Sequence, residues 1–218
     1  MQALTDRIVF AKVNGWEDTL MASTWRVTGY PALILMTADG QEVDRLPGFM
    51  PPEEFVTTVT DFLAGRGTLE DLTSRFSQYP DSLALLLVIG GKFQNRGMEA
   101  QAESCYAELL ARDPANAQGQ APEALHSLAV MAYSAGRDQY DTAIARFDVL
   151  IARFPGSEEA QDAETWVPYI QARQEKYDEA LARFEKFKVD HPESSEIDWV
   201  NQQIEGILKK KGTAAGAL

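Results

Sequence analysis

Three stretches of the chain share one spacing of residues. Tyr140-Asp141 recurs 37 residues on as Tyr177-Asp178, and Ala143, Phe147 and Pro155 recur as Ala180, Phe184 and Pro192. An earlier stretch keeps the internal offsets: Ala102 and Tyr106 stand 12 and 8 residues before Pro114, as Ala143 and Phe147 stand before Pro155. Residues 68–211 are helical by pattern almost throughout. A period of this size therefore means a helical unit that cannot bury its apolar face alone and must stack on its own copies. Small residues at Gly90, Ala102, Ala143 and Ala180 let paired helices approach. Tyr106, Phe147 and Phe184 fill the space between neighbouring pairs, and each proline ends a second helix.

These residues resemble the tetratricopeptide (TPR) repeat, a pair of antiparallel helices of about 34 residues. Gly90, Phe93, Gly97, Ala102, Tyr106 and Pro114 match its signature. Ala129, Tyr133, Gly136, Tyr140, Ala143, Phe147 and Pro155 match it again, with two extra residues before Tyr140. The third unit keeps Tyr177, Ala180, Phe184 and Pro192 but has Pro168 where the family prefers a small residue. Proline inside a helix removes one hydrogen bond and clashes with the preceding turn, so a kink or a helix break is expected there. The resemblance implies three repeats over 83–211, closed by a capping helix in which Trp199, Ile204, Ile207 and Leu208 cover the last pair. A connecting helix is expected in 67–82 and a disordered tail in 212–218. Ser157 and either Ser194 or Ser195 are placed to cap helices.

The first 66 residues are patterned differently. Residues 8–13 are β-prone, and residues 17–27 read as a short helix. Residues 32–37 form a continuous apolar run, the mark of a strand covered on both faces. Asp39-Gly40 signals a hairpin. Residues 42–46 alternate as a half-exposed strand does, and Pro51-Pro52-Glu53-Glu54 opens a helix with Phe55, Val59, Phe62 and Leu63 on one stripe. Val27, Gly29-Tyr30-Pro31, the run 32–37, Asp39-Gly40 and Gly48-Phe49 resemble the C-terminal half of the thioredoxin family. The resemblance implies a cis Tyr30–Pro31 bond beside the place where that family keeps its cysteine pair. The half that would hold the pair, with the strand between residues 8–13 and 32–37, has no counterpart in this sequence. Three arrangements follow: the first strand shifts in to pair with the second, another chain fills the gap, or the sequence is a truncated reading of a longer protein. The expected fold class is thus α/β plus all-α, a partial thioredoxin-like domain (1–66) followed by an α-solenoid of TPR helix pairs.

Chemistry is thinly represented. Cys105 is the only cysteine, so a CxxC redox pair is impossible within these residues. His126 and His191 have no Cys or His neighbour at metal-ligand spacing. There is no glycine-rich phosphate loop and no Ser-His-Asp set. The acidic pairs at 53–54 and 158–159 fall at helix starts, where carboxylates favour the helix dipole. No cofactor or metal is expected. The net charge of −13 disfavours nucleic acid, and no apolar run is long enough to span a bilayer.

What remains is surface. A stack of helix pairs offers a concave face that grips a peptide or a partner helix. Gln94, Asn95, His126 and Gln171, on the first helices of the pairs, are its candidate contacts, and the net charge favours a basic or neutral ligand. The expected function is a non-catalytic, chaperone-like interaction adaptor. The alternative is the C-terminal portion of a thiol-disulfide oxidoreductase whose CxxC half lies upstream. A free sheet edge admits a dimer, and the repeat units resemble those of bacterial envelope proteins, which points to the periplasm or cell envelope.

Overall fold

In a computed structural model of the chain, residues 2–27 and 29–215 are described. The chain divides into two compact units, Met1–Arg112 and Asp113–Leu218. The first holds α1 (Gln2–Thr5), α2 (Thr19–Thr24), β1 (Ala32–Met36), β2 (Glu42–Pro47), α3 (Pro52–Leu63), α4 (Leu69–Gln78), α5 (Leu83–Asn95) and α6 (Glu99–Arg112). The second holds α7 (Ala121–Ser134), a 3-10 turn (Arg137–Gln139), α8 (Tyr140–Arg153), α9 (Glu158–Arg173), α10 (Tyr177–Asp190) and α11 (Ile197–Ala215).

In the first unit β1 and β2 form an antiparallel hairpin, with Leu33 opposite Leu46, Leu35 opposite Asp44, and an irregularity after Leu35. Gly40 turns the chain with φ 83°, a conformation that suits glycine. Leu46 packs with Leu4, Val59 and Phe62 into a small core under α3. Thr68 caps α4 by accepting from the Asp71 N–H at 3.2 Å, and α5 packs on α4, α6 and β2. A Cβ on Gly90 would stand 2.6 Å from the Tyr106 ring. That close approach is why a glycine stands at this point of the α5–α6 pair.

Several expectations for this unit need correction. Residues 8–13 form no strand. Their β propensity is not matched by a neighbouring strand to bond with, and an extended segment without a partner gains no ladder hydrogen bonds. The helix read at 17–27 shrinks to Thr19–Thr24, capped by Asp18, which accepts from the Met21 N–H at 2.9 Å. β1 is not covered on both faces: Ala32, Leu33 and Met36 are exposed. A continuous apolar run suits the interior of a wide sheet, and among the described residues this sheet has two strands. The strand expected to be half exposed is the better covered one, with Asp44, Arg45 and Leu46 all buried.

In the second unit each helix packs on the next, and α7 also meets α9. Ala129, Ala143, Phe147, Leu150, Ala160, Ala163, Val167 and Ile170 are fully enclosed. The extra residues before Tyr140 fall in the 3-10 turn. No break occurs at Pro168, because α9 runs unbroken from Glu158 to Arg173. The proline ring is among the most deeply buried side chains; its packing offsets the one lost backbone bond. Ser157 caps α9 through the Ala160 N–H at 3.1 Å. The last core joins Ala180, Phe184, Phe187, Val200, Ile204 and Ile207, with Trp199 against it, while Leu208 is exposed. The final helix continues to Ala215, into the stretch expected to be a disordered tail. Alanines favour helix strongly enough to carry it past Gly212. Residues 216–218 of that expected tail lie outside the described residues.

Candidate functional site

The first unit is fastened by a buried ionic cluster. Asp44, at 0% exposure, lies on β2. Its carboxylate accepts from Nη2 of Arg96, just past the end of α5, at 2.9 Å and from the Leu69 N–H at the start of α4 at 2.8 Å. Lys92 Nζ stands 3.0 Å from the same carboxylate. Glu42 pairs with Arg96 at 3.2 Å and with Arg45. Arg45 Nη1 also donates to the carbonyls of Trp25 at 3.0 Å and Asn95 at 3.1 Å. Two carboxylates and three cations thus clasp the hairpin to α4 and α5. Burial pushes the Lys92 ammonium below its usual value, and Asp44 draws it partly back; the ammonium also lies 4.3 Å from the centre of the Phe62 ring.

The clasp forms one wall of a cavity of about 210 Å³, lined by Val27, Gly29, Tyr30, Ala32, Arg45 and Asn95 among others. The Tyr30–Pro31 bond is cis. Tyr30 stacks obliquely on Trp16, ring centres 5.3 Å apart, and a Cβ at Gly15 would meet the Tyr30 ring at 2.5 Å. Gly29, Tyr30 and Asn95, nominated by separate lines of sequence reasoning, therefore meet around one cavity. Gln94 does not join them; its side-chain oxygen accepts from Tyr106 Oη at 2.9 Å.

Beside this cavity β1 has a free edge. The Gly48 N–H bonds the Pro31 carbonyl at 2.8 Å, so alternation along an antiparallel ladder turns the N–H and C=O groups of Ala32, Ile34 and Met36 away from β2. On β1 itself Leu33 and Met36 are exposed, and Trp16, against Tyr30 just before the strand, is exposed too.

The second unit carries a different surface. Tyr133 on α7 meets Trp166 and Tyr169 on α9, with ring centres 5.2 and 6.1 Å away. Tyr169 meets Trp199 on α11 at 5.9 Å, and Tyr133 stacks on Tyr140 at 5.3 Å. Apart from buried Tyr140, these rings are half buried, so one face shared by α7, α9 and α11 shows a run of aromatic surface. Asp162 accepts from Trp166 Nε1 at 3.0 Å and stands 2.6 Å from His126 Nε2, which places His126 at the margin of the run. Gln171 is turned the other way, its amide oxygen buried without a hydrogen-bond partner among the described residues. The Tyr133 hydroxyl is pushed up to about 12 by burial and by hydrogen bonding to Tyr169.

Among the described residues no cluster of three or more His, Cys, Asp or Glu could hold a metal. Burial, with Glu108 nearby, raises the Cys105 thiol above its ordinary value. The sequence reading missed Tyr133, Trp166 and Tyr169 as a set. It missed the clasp entirely, because Glu42 and Asp44 lie some fifty residues from Lys92 and Arg96 and leave no local pattern.

Among known proteins, the family model described as a thioredoxin-like domain matches residues 2–63. The model described as an outer membrane lipoprotein, YfiO, matches residues 118–203. No curated protein matches the chain. The crystal structure of MamA aligns over 78% of this chain and 99% of its own, at 16% identity and a TM-score of 0.47. No helix among the described residues is long and apolar enough to cross a membrane. The N-terminal segment is thioredoxin-like, and a TPR-like helical region follows it.

Proposed function

We propose that this protein is a non-catalytic, chaperone-like adaptor that holds a segment of another polypeptide. The observation that carries this reading is the aromatic run Tyr133, Trp166, Tyr169 and Trp199 across α7, α9 and α11. Half-buried tyrosine and tryptophan rings offer large apolar area at little conformational cost, and such residues dominate interface energetics. The free edge of β1 and its exposed apolar neighbours supply a second contact surface, open to a strand from a partner or from a second copy of the chain. A cell-envelope setting is supported by the outer membrane lipoprotein family match. The test is an array of short peptides probed with the full chain. Tyr169→Ala and Trp166→Ala are each expected to weaken the best binders about tenfold or more. Undiminished binding by both variants refutes the reading.

A second reading has one specific support, the cavity beside Tyr30 in a segment that matches a thioredoxin-like domain. In it the chain serves thiol-disulfide exchange, with the cysteine pair supplied by polypeptide outside residues 1–218. An insulin-reduction assay separates the readings, since the adaptor reading expects this chain to be inactive alone.

A further inference from the structure

Arg173 ends α9 with a guanidinium that meets no carboxylate. Its Nε donates to Tyr140 Oη at 3.1 Å and its Nη1 to Tyr169 Oη at 3.2 Å. Its own carbonyl accepts from Arg137 Nη2 at 2.7 Å, which brings a second guanidinium close. Among the described residues neither arginine is ion-paired. Of the acids beside them, Asp141 binds Lys176 and Gln174. In a chain with 33 acidic and 20 basic residues, an arginine held only by neutral phenols stands out.

A guanidinium has five N–H donors, and two are used here. The phenols fix its orientation without neutralising it, and Arg173 is exposed. Such a fork suits a carboxylate, which it can bind through two charge-assisted hydrogen bonds. Half-buried rings flank it, Tyr133 towards α7 and Tyr169 and Trp199 towards α11, while Tyr140 is buried. A ligand that satisfies the whole surface therefore carries apolar groups on either side of its carboxylate. Asp138 adjoins Arg137, Asp141 binds Gln174 and Lys176, and Glu175 lies two residues on, so the surroundings of Arg173 disfavour a polyanion.

We infer that Arg173 binds an internal aspartate or glutamate of the partner segment, flanked on both sides by aromatic or large apolar residues that pack on the ring surface. This rests on the reading of that face as the partner-binding surface. The net charge of −13 favours basic or neutral ligands as a whole; the demand for one carboxylate is local to Arg173.

The test is calorimetric titration of the full chain with three acetylated probes: Gly-Phe-Glu-Phe-Gly amide, the same peptide with Gln for Glu, and the Gln peptide with a free C-terminus. The Glu probe is expected to bind at least tenfold more tightly than the Gln amide. Arg173→Gln should bring the two within about twofold. Arg173→Lys, which keeps the charge but loses the fork, should retain only part of the preference. Equal binding of the Glu and Gln amides, or a preference that survives Arg173→Gln, overturns the inference and leaves the adaptor reading standing. A free-acid Gln probe that matches the Glu probe overturns the assignment to an internal residue. Failure of all three probes to bind overturns the inference together with the aromatic face as its docking surface.

Discussion

At the scale of single residues, the helix pair of the first unit turns on the absence of one side chain. The Tyr106 ring lies where a Cβ on Gly90 would be, whereas the nearest atom to a Cβ on Gly91 is the Tyr106 hydroxyl at 3.9 Å. Gly90→Ala should therefore cost about 1–3 kcal/mol through overpacking. Gly91→Ala should be neutral or stabilise by roughly 0.5–1 kcal/mol, since alanine favours helix. Urea denaturation of the two variants side by side checks this, and equal effects would show that Tyr106 does not set the α5–α6 approach. In the second unit Tyr133 gives a pH signature. Its hydroxyl is held to about 12, against an ordinary value near 10 in an unfolded chain. The raised value favours the neutral phenol in the folded state. Its stabilisation is complete below about pH 10 and fades as pH rises from there towards 12. Tyr133→Phe should flatten that part of the pH–stability curve measured by circular dichroism. An unchanged curve would mean that the environment of Tyr133 does not shift its titration.

At the scale of elements, the hairpin depends on the clasp more than on its apolar face. Asp44→Asn leaves Lys92 and Arg96 facing an uncharged group in a buried site, and breaking such a pair from one side costs about 3–5 kcal/mol. Asp61→Asn removes an exposed partner of Arg66 and should change stability by about 0–1 kcal/mol. Chemical denaturation followed by the N-terminal tryptophans, Trp16 and Trp25, reads both. A small loss for Asp44→Asn would show that water reaches the cluster. The contrast also explains what could be read in advance. The repeat was legible because small and aromatic residues must alternate at fixed offsets for helices to pack, and that requirement leaves a period in the chain. The clasp was illegible because charged residues on a strand read as a solvated face until α5 is brought against them. Residues 8–13 misled for a related reason: β propensity describes a surface suited to pairing, and whether a partner exists is decided elsewhere in the fold. At Pro168 the helix is not broken, because burial of the proline ring offsets the lost backbone bond.

For the molecule as a whole, charge and aromatic surface divide the work. The net charge of −13 disfavours contact with a phosphate backbone. The rings on α7, α9 and α11 form a partly exposed aromatic surface in the second unit, and the Arg173 guanidinium adds a positive charge beside it. The sequence showed that a binding face should exist on the first helices of the pairs, but it nominated Gln94, Asn95, His126 and Gln171. Of these, His126 borders the ring surface, Gln171 turns inward, and Asn95 lines the cavity beside Tyr30. The most direct test of the account is the affinity of the best array peptide for the native chain and for the Tyr133→Ala/Tyr169→Ala double variant, measured by calorimetry. The account predicts a loss of at least tenfold with the helical content retained; equal affinity for a folded double variant would contradict it.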